Sequence, residues 1–266
     1  MKTKVKIGVL ISGGGTNLQA IIDACGNGGI PGAVSFVGTD NPGAAGLGKA
    51  TAHGIPTLAV DYNAIVRRYT RTPDSFIPPD DFSFVEIKSK QRLFHKGTDN
   101  AKVEKFLKTR AVAEDQLLAA MAPYGVDLLV LAGFMRNLTP FFIDKFTGAK
   151  GNPPIMNIHP ALLPAFPGID GYGDTYRYGC KVGGCTVHFV DYGEDSGPII
   201  GQAAFPILET DGLDAVKQKG LALEWELYPK CIRWFAEGRI RIIKMTYAQR
   251  NGHVKQRSVV KIAQPG

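Results

Sequence analysis

Val5-Lys-Ile-Gly-Val-Leu-Ile-Ser-Gly-Gly-Gly-Thr-Asn17 joins an apolar run to a glycine-rich turn near the start of the 266-residue chain. The apolar run is typical of a strand buried on both faces of a parallel sheet. After the turn, apolar residues follow the i, i+3, i+4, i+7 spacing of a helix, at Leu18, Ile21, Ile22 and Cys25. The stretch therefore predicts a strand, a glycine loop and a helix in succession.

The same alternation continues along the chain. Strand patterns occupy residues 33–39, 56–60, 127–132 and 154–159, and helical patterns occupy residues 44–53 and 100–122. This order predicts an α/β fold: a Rossmann-like, mostly parallel twisted sheet with helices on both faces.

The pattern changes after Pro160. Strand patterns at 185–190 and 198–207 either pair with each other or extend the sheet, and a long helix is expected over 213–237. The chain then shows two more strand patterns, 239–245 and 254–262, around Asn251-Gly252. Asn-Gly is a strong turn signal, so a C-terminal β-hairpin is predicted.

We interpret residues 1–266 as a single domain with an insertion at about 62–108 and a hairpin tail at about 239–266. Residues 62–94 form the least regular part, with Pro73, Pro78 and Pro79 and a β-rich stretch at Phe82–Ile87. Such a long irregular segment fits a functional loop and a surface elaboration equally well.

Composition excludes several classes of protein. No apolar run approaches the roughly 20 residues that cross a bilayer, and no signal peptide is evident, so a cytoplasmic protein with no membrane partner is expected. The net charge is +7, and much of the excess falls in 67–110 and 239–261. No nucleic-acid-binding signature accompanies it, so we interpret it as a field that attracts small polyanionic substrates. The four cysteines lack metal-site spacing and are interpreted as reduced and structural, with no metal expected.

The glycine turn at Ser12–Asn17 is the first candidate site. Glycines let backbone N–H groups approach an anion, and the helix that follows presents its positive end to a phosphate. No Gly-Lys-Ser/Thr follows, so it is not a P-loop, and Leu18 stands where a dinucleotide fingerprint has its third glycine. Phosphate binding is favoured over a tight structural turn and over a nicotinamide site.

The second candidate joins a strand end to an acidic loop. Asn157 and His159 alternate onto one face of a predicted strand, at the edge where open α/β sheets bind ligands. A structural Asn and His would fit the pattern too. An aspartate beside His159 would raise its pKa, and Asp191 and Asp195 are both candidates. His188 either supports the site or packs within its strand.

These stretches together resemble the phosphoribosylglycinamide formyltransferases, the folate-dependent glycinamide ribonucleotide transformylases of purine synthesis. The matching motifs cover about four-fifths of the chain: Val9–Asp23, Val130–Arg136, Met156–Pro164 with Pro167-Gly168, Val187–Val190 with Asp195–Pro198, Glu224 before Leu227–Pro229, and Trp234–Arg239. The family resemblance implies the formyltransferase fold and transfer of the formyl group of 10-formyltetrahydrofolate, a co-substrate, to the amine of glycinamide ribonucleotide.

The resemblance also implies residue roles. The catalytic residues would be Asn157, His159 and Asp195, and the ribonucleotide would be held by Gly15, Thr16, Asn17 and Glu224. The folate would contact Arg110, Met135, Arg136, Asn137, Leu138, Asn157, Asp191 and Asp195. The expected partners are these two small molecules, with no nucleic acid, and the protein is expected to be a monomer or homodimer.

Three departures from the family pattern lie near the expected site, at Asn137, Asp170 and Leu221. The alternatives are a formyltetrahydrofolate hydrolase, a methionyl-tRNA formyltransferase and a non-catalytic nucleotide-binding module. The first two normally carry an additional domain, which the sequence analysis does not find. The joint presence of Asn157, His159 and Asp195 disfavours the third.

Overall fold

The computed structural model describes residues 4–148, 155–250 and 252–264. Within these ranges the strands are β1 Val5–Ile11, β2 Gly32–Thr39, β3 Thr57–Ala59, β4 Leu128–Leu131, β5 Ile155–His159, β6 Val182–Phe189, β7 Ile199–Pro206, β8 Ile240–Ala248 and β9 Val254–Ile262. The α-helices are α1 Thr16–Gly26, α2 Gly46–Ala52, α3 Tyr62–Arg71, α4 Phe84–Lys90, α5 Asn100–Met121, α6 Pro140–Thr147, α7 Gly171–Arg177 and α8 Leu213–Ala236.

Seven strands form one sheet in the order β3-β2-β1-β4-β5-β6-β7. The first five pair in parallel, and β6 and β7 join antiparallel. The predicted mostly parallel α/β sheet is confirmed, and β6 and β7 both pair with each other and extend the sheet. Because β1, β4 and β5 are neighbours, their carboxyl ends meet at one edge.

Successive residues of β1 point to opposite faces of the sheet, and each face is covered by helices. Ile7, Val9 and Ile11 join the apolar core beneath α1 and α8. Leu10 joins a second core, with residues of α5 and α6. Burial on both faces explains why β1 reads as a continuous apolar run, and the predicted two helical layers are confirmed.

Segment 62–108 differs from the sequence prediction. The β-rich interpretation of Phe82–Ile87 is wrong, because residues 84–90 form α4. Ser83 accepts a hydrogen bond from the Glu86 N–H, which caps this helix. Phe84 and Ile87 pack with α5 and Phe141 in a small core of their own. Helices α6 and α7 were not predicted either.

The C-terminal hairpin is confirmed as β8 paired antiparallel with β9. The predicted turn residue Asn251 and the last two residues of the tail lie outside the described residues. Ile240, Ile242, Val260 and Ile262 pack against the core beneath α8. None of the helices in the described ranges is long and apolar enough to cross a membrane.

A buried carboxyl on α5 should make stability depend on pH. Burial raises the pKa of Glu114 to about 7, although Thr139 donates to it through both its N–H and its hydroxyl. A carboxyl whose pKa is raised on folding stabilises the fold below about pH 4.5, and this contribution is lost as pH rises towards 7. The free energy of unfolding of Glu114→Gln minus that of wild type should therefore increase by about 3 kcal/mol between pH 4.5 and pH 8.

Urea denaturation at several pH values measures this difference. Glu104→Gln, on the same helix but paired with Lys108 at the surface, is the matched control. A parallel pH dependence in wild type and Glu114→Gln would contradict the prediction.

Candidate active site

A cavity of about 540 Å³ opens at the carboxyl ends of β1, β4 and β5. Of the predicted site residues, its wall contains Gly15, Thr16, Asn17, Arg110, Met135, Arg136, Asn137, Leu138, Asn157, His159, Asp195 and Glu224. Asp191 does not line it. The structure therefore brings together residues separated by as many as 209 positions at one edge of the sheet, as the strand-end argument predicted.

The glycine turn has a backbone that requires its third glycine. Gly15 has a φ of 68°, in the left-handed region, and a Cβ there would lie 3.0 Å from the Gly46 Cα. Gly46 in turn donates its N–H to the Gly13 carbonyl at 2.9 Å. Gly13 and Gly14 remain exposed ahead of α1, so their N–H groups and the helix amino end can receive an anion.

The buried Glu224 carboxyl belongs to the cavity wall beside the glycine turn. Glu224 accepts hydrogen bonds from Asn17 Nδ2 at 2.7 Å and from the Tyr172 hydroxyl at 2.6 Å. Burial raises the pKa of the Glu224 carboxyl, against the effect of these two donors. The Asn17 Oδ1 is buried and has no hydrogen-bond partner among the residues that the structure describes. It is therefore a free acceptor for a donor entering the cavity.

The three predicted catalytic side chains converge in the cavity wall: Asn157, His159 and Asp195. His159 Nδ1 lies 3.1 Å from Asp195 Oδ2, and Asn157 Nδ2 lies 3.5 Å from Asp195 Oδ1. His188 sits opposite Asn157 in the β5–β6 register, with its Nε2 at 3.3 Å from Asn157 Nδ2. His188 thus borders the site, a role that the sequence had left open.

The electrostatics of His159 correct one expectation. Burial lowers the pKa of His159, although the Asp195 carboxylate and the Phe166 carbonyl both act to raise it. The expected net rise in its pKa is therefore wrong, because desolvation outweighs the carboxylate. The Phe166 carbonyl lies 2.7 Å from His159 Nε2, so both ring nitrogens face acceptors. Only the protonated ring can donate to both.

Asp195, not Asp191, is the carboxylate at the histidine. Burial raises the pKa of Asp195, but the His188 hydrogen bond, the His159 ring and the Gly168 N–H together bring it below its ordinary value. Its φ of 47° is in the left-handed region, which is uncommon for a residue other than glycine. Asp191 instead accepts from the Gly193 N–H and Ser196 hydroxyl within the loop.

Two cations, Arg110 and Arg136, form a further part of the cavity wall. The Arg110 guanidinium lies 5.1 Å from the Tyr62 ring centroid, and its buried Nε has no hydrogen-bond partner within the described part of the chain. Arg136 Nε donates to Asp40 at 2.5 Å. Asp40 also accepts from Ser12, which ties the glycine turn to this part of the wall. Asn137 donates to Glu194 at 3.0 Å.

Sequence reasoning missed several residues of the wall. Tyr172 lies on the unpredicted helix α7, and Lys217 is about two turns before Glu224 on α8. Phe166 contributes its carbonyl oxygen as an acceptor beside the His159 ring, and no side-chain pattern reveals such a contact. The spacing of Lys217, Leu221 and Glu224 places them on one face of α8, and this helical spacing was a usable signal.

The comparisons with known proteins agree with this geometry. The family model described as formyl transferase matches residues 5–232, and the chain therefore belongs to the formyl transferase family. Among its relatives, the phosphoribosylglycinamide formyltransferases of Haemophilus influenzae and Escherichia coli are 34% and 33% identical. The alignments cover 89% and 90% of this chain, respectively, and 90% of each relative.

A solved structure shows the same likeness. Glycinamide ribonucleotide transformylase 1 from Symbiobacterium toebii superposes with a TM-score of 0.71 at 35% identity. The match covers 99% of this chain and 96% of that one. The family resemblance stated from the sequence motifs is confirmed.

Proposed function

We propose that this protein transfers the formyl group of 10-formyltetrahydrofolate to the amine of glycinamide ribonucleotide, a step of purine biosynthesis. One observation carries the proposal: Asn157, His159 and Asp195 meet in one cavity, whose wall also contains the glycine turn and the cations Arg110 and Arg136. The relatives that bear the name of this activity support it.

The glycine-turn end suits the ribonucleotide. Backbone N–H groups at Gly13–Gly15 and the amino end of α1 would bind its phosphate. Thr16 borders the same turn. Asn17 and Glu224 lie deeper and would accept hydrogen bonds from hydroxyl or amide donors of the substrate. This arrangement orients the substrate amine towards Asn157.

The part of the cavity wall that contains Arg110 and Arg136 suits the folate. The flat ring of the folate would gain apolar contact from Met135, Leu138 and the backbone between them. Asn137 would offer polar contact. The Arg110 and Arg136 guanidinium groups would face the carboxylates of the folate tail. Asp191 would act on the folate only indirectly, by shaping the loop that carries Asp195.

The reaction is a direct acyl transfer from the folate to the substrate amine, by addition and then elimination. The substrate amine attacks the formyl carbon to form a C–N bond, and negative charge develops on the formyl oxygen in a tetrahedral intermediate. Asn157 Nδ2 and a protonated His159 would donate to that oxygen, which would replace the Phe166 carbonyl as acceptor at the ring. The bond to the folate nitrogen then breaks.

Proton movement completes the step. The attacking amine loses a proton, and the departing folate nitrogen gains one, so the reaction needs no net acid or base. Asp195 would stabilise the charged His159 ring and carry this transfer, directly or through water. The chemistry calls for no metal, and we expect a cytoplasmic enzyme that acts as a monomer or homodimer on small molecules alone.

A kinetic assay tests the function. Release of tetrahydrofolate from 10-formyltetrahydrofolate is followed with and without glycinamide ribonucleotide, and turnover is expected only with the amine. Turnover without the amine would identify a hydrolase, and turnover with charged methionyl-tRNA would identify the tRNA enzyme. Absence of turnover with every acceptor would leave a binding module.

The role of Glu224 gives a separate prediction. Glu224→Gln should raise the KM for the ribonucleotide by roughly 10-fold to 100-fold, because a hydrogen bond to a charged acceptor is worth about 1.5–3 kcal/mol. The folate KM should stay constant. Glu226→Gln, two residues further along α8 and exposed, is the control. An unchanged ribonucleotide KM would remove Glu224 from the binding site.

A further inference from the structure

Segment 62–108 contacts the loop that carries the catalytic aspartate. We call residues 191–195 the aspartate loop. Arg92 Nη2 lies 2.6 Å from Asp191 Oδ2, and the Arg92 N–H donates to the Tyr192 carbonyl at 2.9 Å. One residue thus holds two consecutive residues of the loop, one through its side chain and the other through its backbone.

A second contact from segment 62–108 reaches the aspartate loop through the Asp144 carboxylate, which is bound from both sides. Lys90 Nζ lies 2.9 Å from Asp144 on α6, and the Tyr192 hydroxyl donates to the same carboxylate. Asp191, fixed by Arg92, accepts from the Gly193 N–H and the Ser196 hydroxyl on either side of Asp195. Restraints from segment 62–108 therefore converge on both flanks of Asp195.

Asp195 needs such restraint. Its left-handed backbone is unfavourable for a residue other than glycine and persists only where the surroundings fix it. Its carboxylate must at the same time face His159 at 3.1 Å and accept from the Gly168 N–H at 2.9 Å. A small rotation of the aspartate loop would break both contacts.

From these contacts we propose that Arg92 is a positioning residue for catalysis: it holds the aspartate loop so that the Asp195 carboxylate faces His159. This inference rests on the proposed function and adds a residue outside the cavity wall. The Arg92 side chain is 60% exposed, so its ion pair contributes little to overall stability. Its effect is on geometry, where a displacement of about 1 Å can cost up to a hundredfold in rate.

Arg92→Ala tests the proposal in the full-length protein. We expect kcat to fall about tenfold, with the ribonucleotide KM within about twofold of wild type, because the glycine turn is untouched. Arg92→Lys retains one donor for Asp191 and should recover most of the rate. Arg71→Ala removes the same charge from an exposed position of segment 62–108 and is the matched control.

A second readout separates positioning from a general structural role. NMR titration of the histidine rings, without substrate, should show a further fall in the His159 pKa in Arg92→Ala, because the carboxylate that raises it has moved away. The urea midpoint of unfolding should stay close to that of wild type, because the ion pair is largely exposed. This measurement does not depend on which acceptor the enzyme uses.

The outcomes are distinct. If the wild type transfers no formyl group, the proposed function fails, and the NMR titration still tests the role of Arg92. If the wild type is active and Arg92→Ala matches it in kcat and in His159 titration, the positioning role is overturned. A loss of rate that follows a loss of folded protein, with unchanged His159 titration, also overturns it.

Discussion

His159→Ala should lower kcat by at least about a hundredfold. The change removes a donor to the developing negative charge, worth about 3 kcal/mol, together with the general acid–base group of the site. The ribonucleotide KM should change little, because the glycine turn and Glu224 would hold the ribonucleotide and both are left intact. Steady-state kinetics with the ribonucleotide and 10-formyltetrahydrofolate varied in turn measures both values.

The control is His53→Ala, which removes an exposed ring bonded to the Lys49 carbonyl on α2. His159 is only 2% exposed, so circular dichroism and urea denaturation must accompany the kinetics. A folded His159→Ala protein with near-normal kcat would remove the imidazole from the mechanism and with it the proposed direct transfer.

Asp195→Asn should lower kcat by roughly 10²- to 10³-fold and change its pH dependence. The amide keeps the size of the side chain, and asparagine tolerates the left-handed backbone, so the variant isolates the charge. Since the carboxylate raises the pKa of His159, its loss lowers that pKa further. If the protonated ring is the active form, the fall in rate on the alkaline side begins at lower pH.

A pH–rate profile of wild type and variant measures this shift. Asp174→Asn, which removes an exposed carboxylate paired with Arg177, should leave the profile unchanged. A lower rate with no shift would mean that Asp195 positions a group other than His159. A shift in the opposite direction would mean that the neutral ring is the active form.

The predictable part of the site follows from strand geometry. Asn157 and His159 share a face because side chains alternate along a strand, and they meet the glycine turn because β1, β4 and β5 end at one edge. These rules depend only on local sequence. The same rules predict a mostly parallel sheet with helices on both faces, but they left open whether β6 and β7 extend it.

The remainder depends on contacts that no local pattern encodes. Asp191 and Asp195 lie four residues apart in one loop, and only its folded path shows which of them faces His159. The stretch at 82–87 has β-forming residues, yet the Ser83 cap and the packing of Ile87 against α5 favour a helix. The direction of the His159 pKa shift requires the burial of the ring, which the sequence does not specify.

The C-terminal hairpin gives the molecule an uneven distribution of charge. Seven Lys and Arg residues and no Asp or Glu occur after Gly238, whereas residues 1–238 contain 24 of each kind. Glu224 precedes the end of α8 by 12 residues, or about 18 Å of helix. Physiological salt screens charges beyond about 8 Å, so the hairpin charges act mainly on surfaces close to the hairpin. The hairpin should dominate adhesion to polyanionic matrices, where the protein would attach by its tail.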